Sequence, residues 1–304
     1  MSQVEVHVPA TTANLGPGFD CLGMALDIWN TFSFEPADVP SVSINGEGAA
    51  GRLRADRSNL VCRSAERYFQ EIGRPAPPLA VGCWNRVPLA RGMGSSSSAI
   101  VGGLLGAGAI AGNGRQPDME LVWKLAVEIE GHPDNVTPAL FGGCQIVVRD
   151  SGKLVRASVP IPPDMRAVLF IPDAPMPTAQ ARGVLPPQVS REDAVYNIGR
   201  VALLVNALAT GKLEDIKVAT QDRLHQPVRQ QLMPAMRLLF RAALDGGALG
   251  VFLSGAGSSV LALTRGRELT VAYEMRDMAE KAQLPGDVKI TVPSLKGAYI
   301  AVGE

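Results

Sequence analysis

The chain is poor in the features that mark several protein classes. It has four cysteines in 304 residues, Cys21, Cys62, Cys83 and Cys144. They are scattered singly, with no CxxC pair and no disulfide-rich spacing, which excludes a disulfide scaffold and fits a reduced cytosol. Net charge is also missing: Lys plus Arg and Asp plus Glu both number 29. No broad attraction to nucleic acid or to an anionic membrane follows, so a ligand must be sought in local sites. The longest apolar run, residues 99 to 112, is rich in Gly and Ala and falls well below the roughly 20 residues needed to span a bilayer. The opening "MSQVEVHVPA" carries no charged region followed by an apolar block, which speaks against a secretory signal. No internal repeat of 20 to 50 residues is visible. A soluble cytoplasmic protein is expected, with no nucleic-acid or membrane partner. A single core stops growing near 250–300 residues, so two domains are expected.

What is present is a patterned mixture of strands and helices. "VEVHVPA" alternates Val4, Val6 and Val8 with Glu5 and His7, the period of a half-buried strand. "IWNTFSFE" and "SVSIN" read as further strands. Ser58 is placed to cap a helix that carries Leu60, Val61, Ala65, Tyr68, Phe69 and Ile72 on one side and stops at Gly73, and Asp118 to cap a second that carries Leu121, Val122, Leu125, Ala126 and Ile129. The stretch from Asp150 to Pro163 reads as loose, and "RAVLFIPD" beyond it as a buried strand, so the domain boundary is set at 155/156. The second half adds a helix opening at Ser190, another around "LMPAMRLLFRAALDGG", strands flanking "LSGAGSS", a helix near 267–282 and two short closing strands. Strands mixed with helices without strict alternation indicate an α+β fold rather than a doubly wound sheet.

One stretch carries chemistry on its face. "GMGSSSSAIVGG" combines glycines that let a backbone approach an anion, a helix start with free N–H groups, and hydroxyls able to bond phosphate or metal. No Lys follows the glycines and position 97 is Ser, so neither a Walker A loop nor GxGxxG applies.

"VPLARGMGSSSS" resembles the central ATP-binding motif of the GHMP small-molecule kinases. "PATTANLGPGFD" and "LSGAGSSVLAL" are similar to the family's first and third motifs, so the resemblance covers essentially the whole chain. "TTANLGPGFDCLGMALD", "EGHPDNVTPALFGG" and "DRLHQPVR" resemble the homoserine kinases of that family rather than its mevalonate or galactose enzymes. The resemblance implies a ribosomal-protein-S5-like N-terminal domain over 1–155 that binds ATP and a ferredoxin-like C-terminal domain over 156–304. It also implies a homodimer, ATP with Mg²⁺ as cofactors, and L-homoserine as the small-molecule acceptor. Another acceptor of the family, or a nucleotide-binding module without turnover, stands as the alternative.

Phosphoryl transfer asks for positioning, a metal on the phosphate oxygens and charge stabilisation. The resemblance assigns the nucleotide to Asn59, to Pro88, Leu89, Ala90 and Arg91 leading into the loop, and to Gly92, Met93 and Gly94 within it. Ser95, Ser96, Ser97 and Ser98 complete the phosphate wrap, with Ser96 and a carboxylate on the metal. Glu128 and Glu130 both sit at the margin of the helix's apolar stripe, so periodicity leaves the choice open. The resemblance favours Glu130, which ends the helix beside "HPDN". For a zwitterionic acceptor it points to Asp20 and Asn14 at the ammonium, Arg182 and Arg229 at the carboxylate, and Thr178 and His132 near the hydroxyl. Some members carry an Asp after the metal-binding Glu; here "PDN" puts Asn135 in that place. The implied mechanism is direct transfer with the proton lost late, Asn135 and Arg182 acting at the reacting group. "DRLHQPVR" also carries Arg223 and His225, which read as a solvated basic face.

Overall fold

The computed structural model describes residues 3–302. Its first part runs β1 (Val4–Ala13), β2 (Leu22–Pro36), β3 (Ser41–Gly46), α1 (Leu60–Glu71), β4 (Leu79–Asn85), α2 (Ser95–Ala111), α3 (Met119–Glu130), α4 (Pro133–Phe141), β5 (Cys144–Asp150) and β6 (Lys153–Val159). The second part runs β7 (Arg166–Pro172), α5 (Thr178–Gly183), α6 (Arg191–Thr210), α7 (Ile216–Ala219), α8 (Gln226–Arg229) and α9 (Met236–Asp245). It continues with β8 (Gly250–Leu253), β9 (Val260–Thr264), α10 (Glu268–Lys281), β10 (Gly286–Thr291) and β11 (Tyr299–Val302).

The first sheet has the order β11-β1-β2-β4-β3, with the β5–β6 hairpin attached to β2. Strand β2 is long enough to serve two neighbours: Thr31–Pro36 pair with β4 and Leu22–Met24 with β5. Val4, Val6, Val8, Phe32 and Phe34 form its inner face, covered by Val61 and Phe69 of α1, Ile100 and Leu104 of α2, Val122 and Leu125 of α3 and Leu140 of α4. Asn59 caps α1, its Oδ1 accepting from Val61 N, one residue after the Ser58 expected; Asp118 and Ser190 cap α3 and α6 as expected.

The second sheet is antiparallel throughout in the order β10-β7-β9-β8. In chain order that is 4-1-3-2, with helices after the first and third strands, the ferredoxin-like arrangement. Val168, Phe170, Leu253 and Val260 face α9 and α10. Leu169, Phe252, Leu261 and Leu263 face the other way, into a core shared with Leu15, Leu22, Met24 and Met93 of the first part. Burial on both faces is why these strands read as continuous apolar runs.

The expected boundary at 155/156 falls inside β6, which stays paired with β5 from Asp150↔Lys153 to Cys144↔Val159. Ser151 and Gly152 both have positive φ, 48° and 83°, the backbone of a two-residue hairpin turn rather than of a linker. The changeover between sheets comes after Val159, and β11 then returns to pair with β1.

Helix α2 is buried nearly along its length because its glycines let neighbours in. A Cβ at Gly102 would stand 2.3 Å from the Phe32 ring, one at Gly106 2.1 Å from Phe34, and one at Gly103 2.3 Å from the Val61 carbonyl. Gly106→Ala is therefore expected to lower stability by about 1–3 kcal/mol through overpacking. Gly199→Ala in α6, whose added Cβ meets nothing within 4 Å, should raise it by about 0.4–1 kcal/mol. Urea unfolding of both variants checks the contrast in sign.

Candidate active site between the two sheets

A cavity of about 700 Å³ opens where the two sheets meet, between the loop 86–94, α4, α5 and the β8–β9 turn. Loop 86–94 delivers the start of α2 into it. Gly94 caps α2 at φ 70° with no side-chain bond, so the first amides of the helix stay available to an anion. A Cβ at Gly94 would lie 1.9 Å from Thr11 Oγ1, and one at Gly92, at φ 71°, 2.0 Å from the Ser254 carbonyl. Both positions need glycine for conformation and for space.

The remaining members of the ATP motif divide into walls and supports. Asn59, Leu60, Leu89, Ala90, Met93, Ser95 and Ser96 line the cavity, joined by Leu53, Asn85 and Phe32 toward its apolar end. Ser98 is fully buried and its Oγ accepts from Asn30 Nδ2 at 3.2 Å. Asn30 Oδ1 accepts from Arg86 N at 2.7 Å and Val87 N at 2.9 Å, which pins the loop's entry to the helix's first turn just ahead of Pro88. The Arg91 guanidinium donates to three backbone carbonyls, those of Leu89 (2.5 Å), Pro172 (2.7 Å) and Asp173. It ties the loop to the end of β7, a role the motif alone does not reveal.

Glu130 and Glu128 separate clearly. Glu128 is exposed and lies near Arg67 and Lys124. The Glu130 side chain is 9% exposed, and its Oε1 accepts from Ser96 Oγ at 2.6 Å and Ser97 Oγ at 2.9 Å. Among the described residues no group of three or more His, Cys, Asp or Glu side chains could hold a metal by itself. One carboxylate and serine hydroxyls beside a phosphate site are nevertheless the donor set Mg²⁺ takes, since it usually completes its octahedron with substrate phosphates and water.

Across from this pair, His132 precedes α4 and its Nδ1 lies 2.7 Å from Asp134 Oδ1, while Nε2 lies 3.9 Å from Glu130. Burial opposes the imidazolium, but the Asp134 hydrogen bond and the charges of Asp134 and Glu130 outweigh it, so the His132 pKa is raised. Asn135 Oδ1 accepts from Thr11 Oγ1 at 2.8 Å, which orients the amide and leaves its NH₂ as the group available to a ligand.

The far end gathers the expected acceptor residues, already engaged with one another. Arg182 and Asp20 form a two-point ion pair, at 3.0 Å for Nη1 and 2.6 Å for Nη2. Asn14 Nδ2 donates to the Gly255 carbonyl at 2.8 Å and its Oδ1 accepts from Asp20 N at 3.0 Å, so the side chain braces the turn while its residue lines the cavity. Thr178 opens α5 and also lines the cavity, and Arg182 follows one turn later in the same helix. Arg229 is 1% exposed, with Nε donating to the Ala181 carbonyl at 3.1 Å and Nη1 to the Gly255 carbonyl at 3.0 Å. Burial, then the neighbouring Arg182 charge, bring its pKa down to about 10.

His225 departs from the solvated face expected for its segment. It is fully buried, 3.0 Å from Arg229 Nη1 and 2.7 Å from the Gly16 carbonyl. Asp222, equally hidden, accepts from the amides of Leu224, His225 and Gln226 and from Asn197 Nδ2. Arg223 does lie outward, pairing with Glu192 at 2.9 Å.

The chain matches the GHMP kinase N-terminal domain model over residues 59–143 and the GHMP kinase C-terminal model over 204–284. It is 43% identical to a homoserine kinase of Moorella thermoacetica over 97% of this chain and 99% of the relative. It is 48% identical to a homoserine kinase of Thermosynechococcus vestitus over 97% and 98%. The crystal structure of homoserine kinase from Cytophaga hutchinsonii superimposes with a TM-score of 0.89 at 30% identity, covering 99% of this chain and 98% of that one. The chain belongs to the GHMP kinases. This GHMP kinase has the family's two-domain fold and is an ATP-dependent small-molecule kinase, with all three motifs meeting at one cavity.

The Arg91 anchorage separates a supporting role from a phosphate contact. Arg91→Met is expected to lose about 1.5–3 kcal/mol of stability, the range for hydrogen bonds to a charged group. ATP affinity should weaken alongside, because the loop loses its tie to β7. Thermal unfolding paired with ATP titration reads both; weakened ATP binding at unchanged stability would instead put the guanidinium on the nucleotide.

Proposed function

We propose that this kinase transfers the γ-phosphoryl group of ATP, with Mg²⁺, to the side-chain hydroxyl of L-homoserine. The observation that carries the reading is the pair of guanidinium groups lining the cavity, Arg182 and Arg229, with the Asp20 carboxylate bonded to the first, together with relatives that bear the name homoserine kinase. A zwitterion matches that set: its ammonium suits Asp20 and its carboxylate suits the arginines. Mevalonate and galactose lack the ammonium, so neither offers Asp20 a replacement for its partner Arg182.

In this reading adenine packs in the apolar end around Asn59, Leu60 and Leu89, and the phosphates lie against the amides of Gly92–Ser96 at the start of α2. Glu130 and Ser96 would hold the metal, which would supply neutralisation of charge developing on the phosphate oxygens. The acceptor hydroxyl lies by Thr178, His132 and Asn135. The Asn135 amide donates but cannot take a proton, so it orients the hydroxyl while the proton departs late, onto an oxygen of the transferred phosphoryl group as ADP leaves, in keeping with a loose transition state. Arg182 sits where it can balance charge on the transferring group. Catalysis is thus mostly alignment of two ends of one cavity. A cytosolic homodimer belongs to the same reading.

A coupled ADP-release assay over homoserine, mevalonate and galactose should give turnover with homoserine alone, and phosphorus NMR should place the new phosphate on the side-chain oxygen. Turnover on a different acceptor, or a product phosphorylated elsewhere, removes the proposal. Separately, Glu130→Gln should stay folded and lose at least about tenfold in kcat and in Mg²⁺ affinity, comparable to losses when a metal's supporting ligand is removed. Glu128→Gln should remain within about twofold of wild type, as expected for an exposed charge. The opposite order in a Mg²⁺ titration would reverse the ligand assignment.

A further inference from the structure

We infer that His225 is a positioning residue that locks the Arg229 guanidinium in the orientation and charge state that receive the acceptor's α-carboxylate. The inference rests on the proposed homoserine kinase reading, since it concerns the same end of the cavity.

Two contacts fix the state of the ring. His225 Nε2 lies 2.7 Å from the Gly16 carbonyl, which can only accept, so Nε2 carries the proton. In the neutral ring Nδ1 is then an acceptor, and it faces Arg229 Nη1 at 3.0 Å. A doubly protonated ring would turn an N–H toward a guanidinium N–H. Burial lowers the His225 pKa and so favours the neutral form, more strongly than the Asp222 charge opposes it. The ring is held in place from its own backbone, because His225 N donates to Asp222 Oδ2 at 3.0 Å, and Phe19 stacks on it at 5.2 Å.

Geometry then determines what Arg229 can offer. Of the guanidinium's five N–H groups, Nε donates to Ala181 O, and the two on Nη1 go to Gly255 O and His225 Nδ1. The Nη2 pair is left unengaged by the described residues, on a residue that lines the cavity. All three partners are neutral: two carbonyls and an imidazole. They satisfy the hydrogen bonds of Arg229 without cancelling its charge, in contrast to Arg182, whose charge is met by Asp20 at 2.6 Å. A carboxylate in place of His225 would satisfy the same N–H and neutralise the group. A neutral histidine leaves the buried cation without a counter-charge in direct contact, Asp20, Asp222 and Asp134 acting on it only across a distance, until an anion arrives. Phe19 adds to the arrangement, with Arg229 at 5.5 Å and Arg182 at 5.7 Å from its ring centre.

The test compares wild type, His225→Gln and His225→Asn on L-homoserine and on 3-aminopropan-1-ol, the same amino alcohol without its carboxylate. Gln can reach the Gly16 carbonyl but offers Arg229 no acceptor at the Nδ1 position, whereas Asn places its Oδ1 near that position and gives up the Gly16 bond. His225→Gln is expected to raise the homoserine KM about 10- to 100-fold, the loss of one charge-assisted hydrogen bond. Its kcat should stay within about threefold and its KM for ATP should not move, the pattern of a lost ground-state contact. On 3-aminopropan-1-ol the variant should match wild type in kcat/KM, and His225→Asn should recover most of the homoserine KM. Equal impairment on both acceptors, or a raised KM for ATP, would mean that His225 serves the fold alone and would overturn the inference. Should His225→Gln fail to fold, His225→Asn decides: a wild-type ratio of homoserine to 3-aminopropan-1-ol KM supports the Nδ1 contact, and a tenfold shift in that ratio overturns it. Wild type that phosphorylates no homoserine would remove the functional reading and this inference with it; where wild type does phosphorylate homoserine, a failure of the variants counts against the role of His225 alone.

Discussion

The end of β1, the loop before α2 and the β8–β9 turn touch through their backbones, and the cavity exists because they do. Thr11 N donates to Met93 O, Gly255 N to Ala13 O, and Ser259 N to Arg91 O, each at 3.1 Å. Ser254 Oγ lies between Thr12 Oγ1 at 2.8 Å and the Gly92 carbonyl at 2.7 Å. Buried loop backbone needs hydrogen-bond partners, and here each loop supplies them to the next. The contact leaves no volume for a side chain at Gly92 or Gly94, so the residues that bring backbone amides toward an anion are the same ones that join the two sheets. The loop that carries the resemblance to an ATP-binding motif and the packing of the two sheets are therefore inseparable in this molecule. Arg91 extends the principle by pinning the loop to the carbonyls at the end of β7.

The cavity's charges are arranged by end rather than in sum. Helix amides, serine hydroxyls and Glu130 line one part; Arg182 and Arg229 line another, with Asp20 paired to Arg182 beside it. With 29 positive and 29 negative side chains in the whole chain, no long-range field accounts for ligand selection. Selection falls to contacts inside the cavity, where the part-buried Asp20–Arg182 pair is screened less than charges on the open surface. Breaking the Asp20–Arg182 pair for a ligand of one charge would strand its partner. Under the proposed reading a zwitterion would separate the two and satisfy each, which would favour it over simple acids and simple amines alike.

Much of this is legible in residue order, and the exceptions share a cause. Valine alternation in β1, the caps Asp118 and Ser190, and the glycine–serine loop are local patterns, and each forms the element it suggests. Glu130 and Glu128 lie two residues apart, about 200° around a helix, so one had to turn outward. Periodicity alone places both at the stripe's edge, and the contacts of Ser96 and Ser97 separate them. His225 is hidden for a stronger reason. It stands in a charged octet and precedes a helix of only four residues, so no apolar period marks it. Its burial comes from Gly16 and Phe19, more than two hundred residues upstream. The hairpin at Ser151–Gly152 reads as slack chain because a tight turn and a linker share composition; positive φ at both residues distinguishes them.

The two arginines also differ in what holds them, and that difference bears on how a ligand enters. Arg229 is bound on three sides by the Ala181 and Gly255 carbonyls and His225, in a segment clamped by Asp222 and by Gln226 Oε1, which accepts from Leu253 N at 2.7 Å. Its position is set before any ligand arrives. Arg182 rides on the six-residue α5, whose exposed neighbours leave it roughly one-third exposed and held chiefly by Asp20. The approach to α5 is tied to the phosphate loop through Met176 N to Ala90 O at 2.8 Å, and Ser258 Oγ reaches the Ala174 carbonyl at 2.8 Å. Arg182 can therefore exchange Asp20 for a ligand and move while its helix stays tethered to the nucleotide side. Under the proposed homoserine kinase reading, fixed and exchangeable grips on one carboxylate would divide the work: Arg229, held by neutral groups on three sides, would supply the preorganised charge, and Arg182, once released from Asp20, would be free to follow charge toward the transferring group.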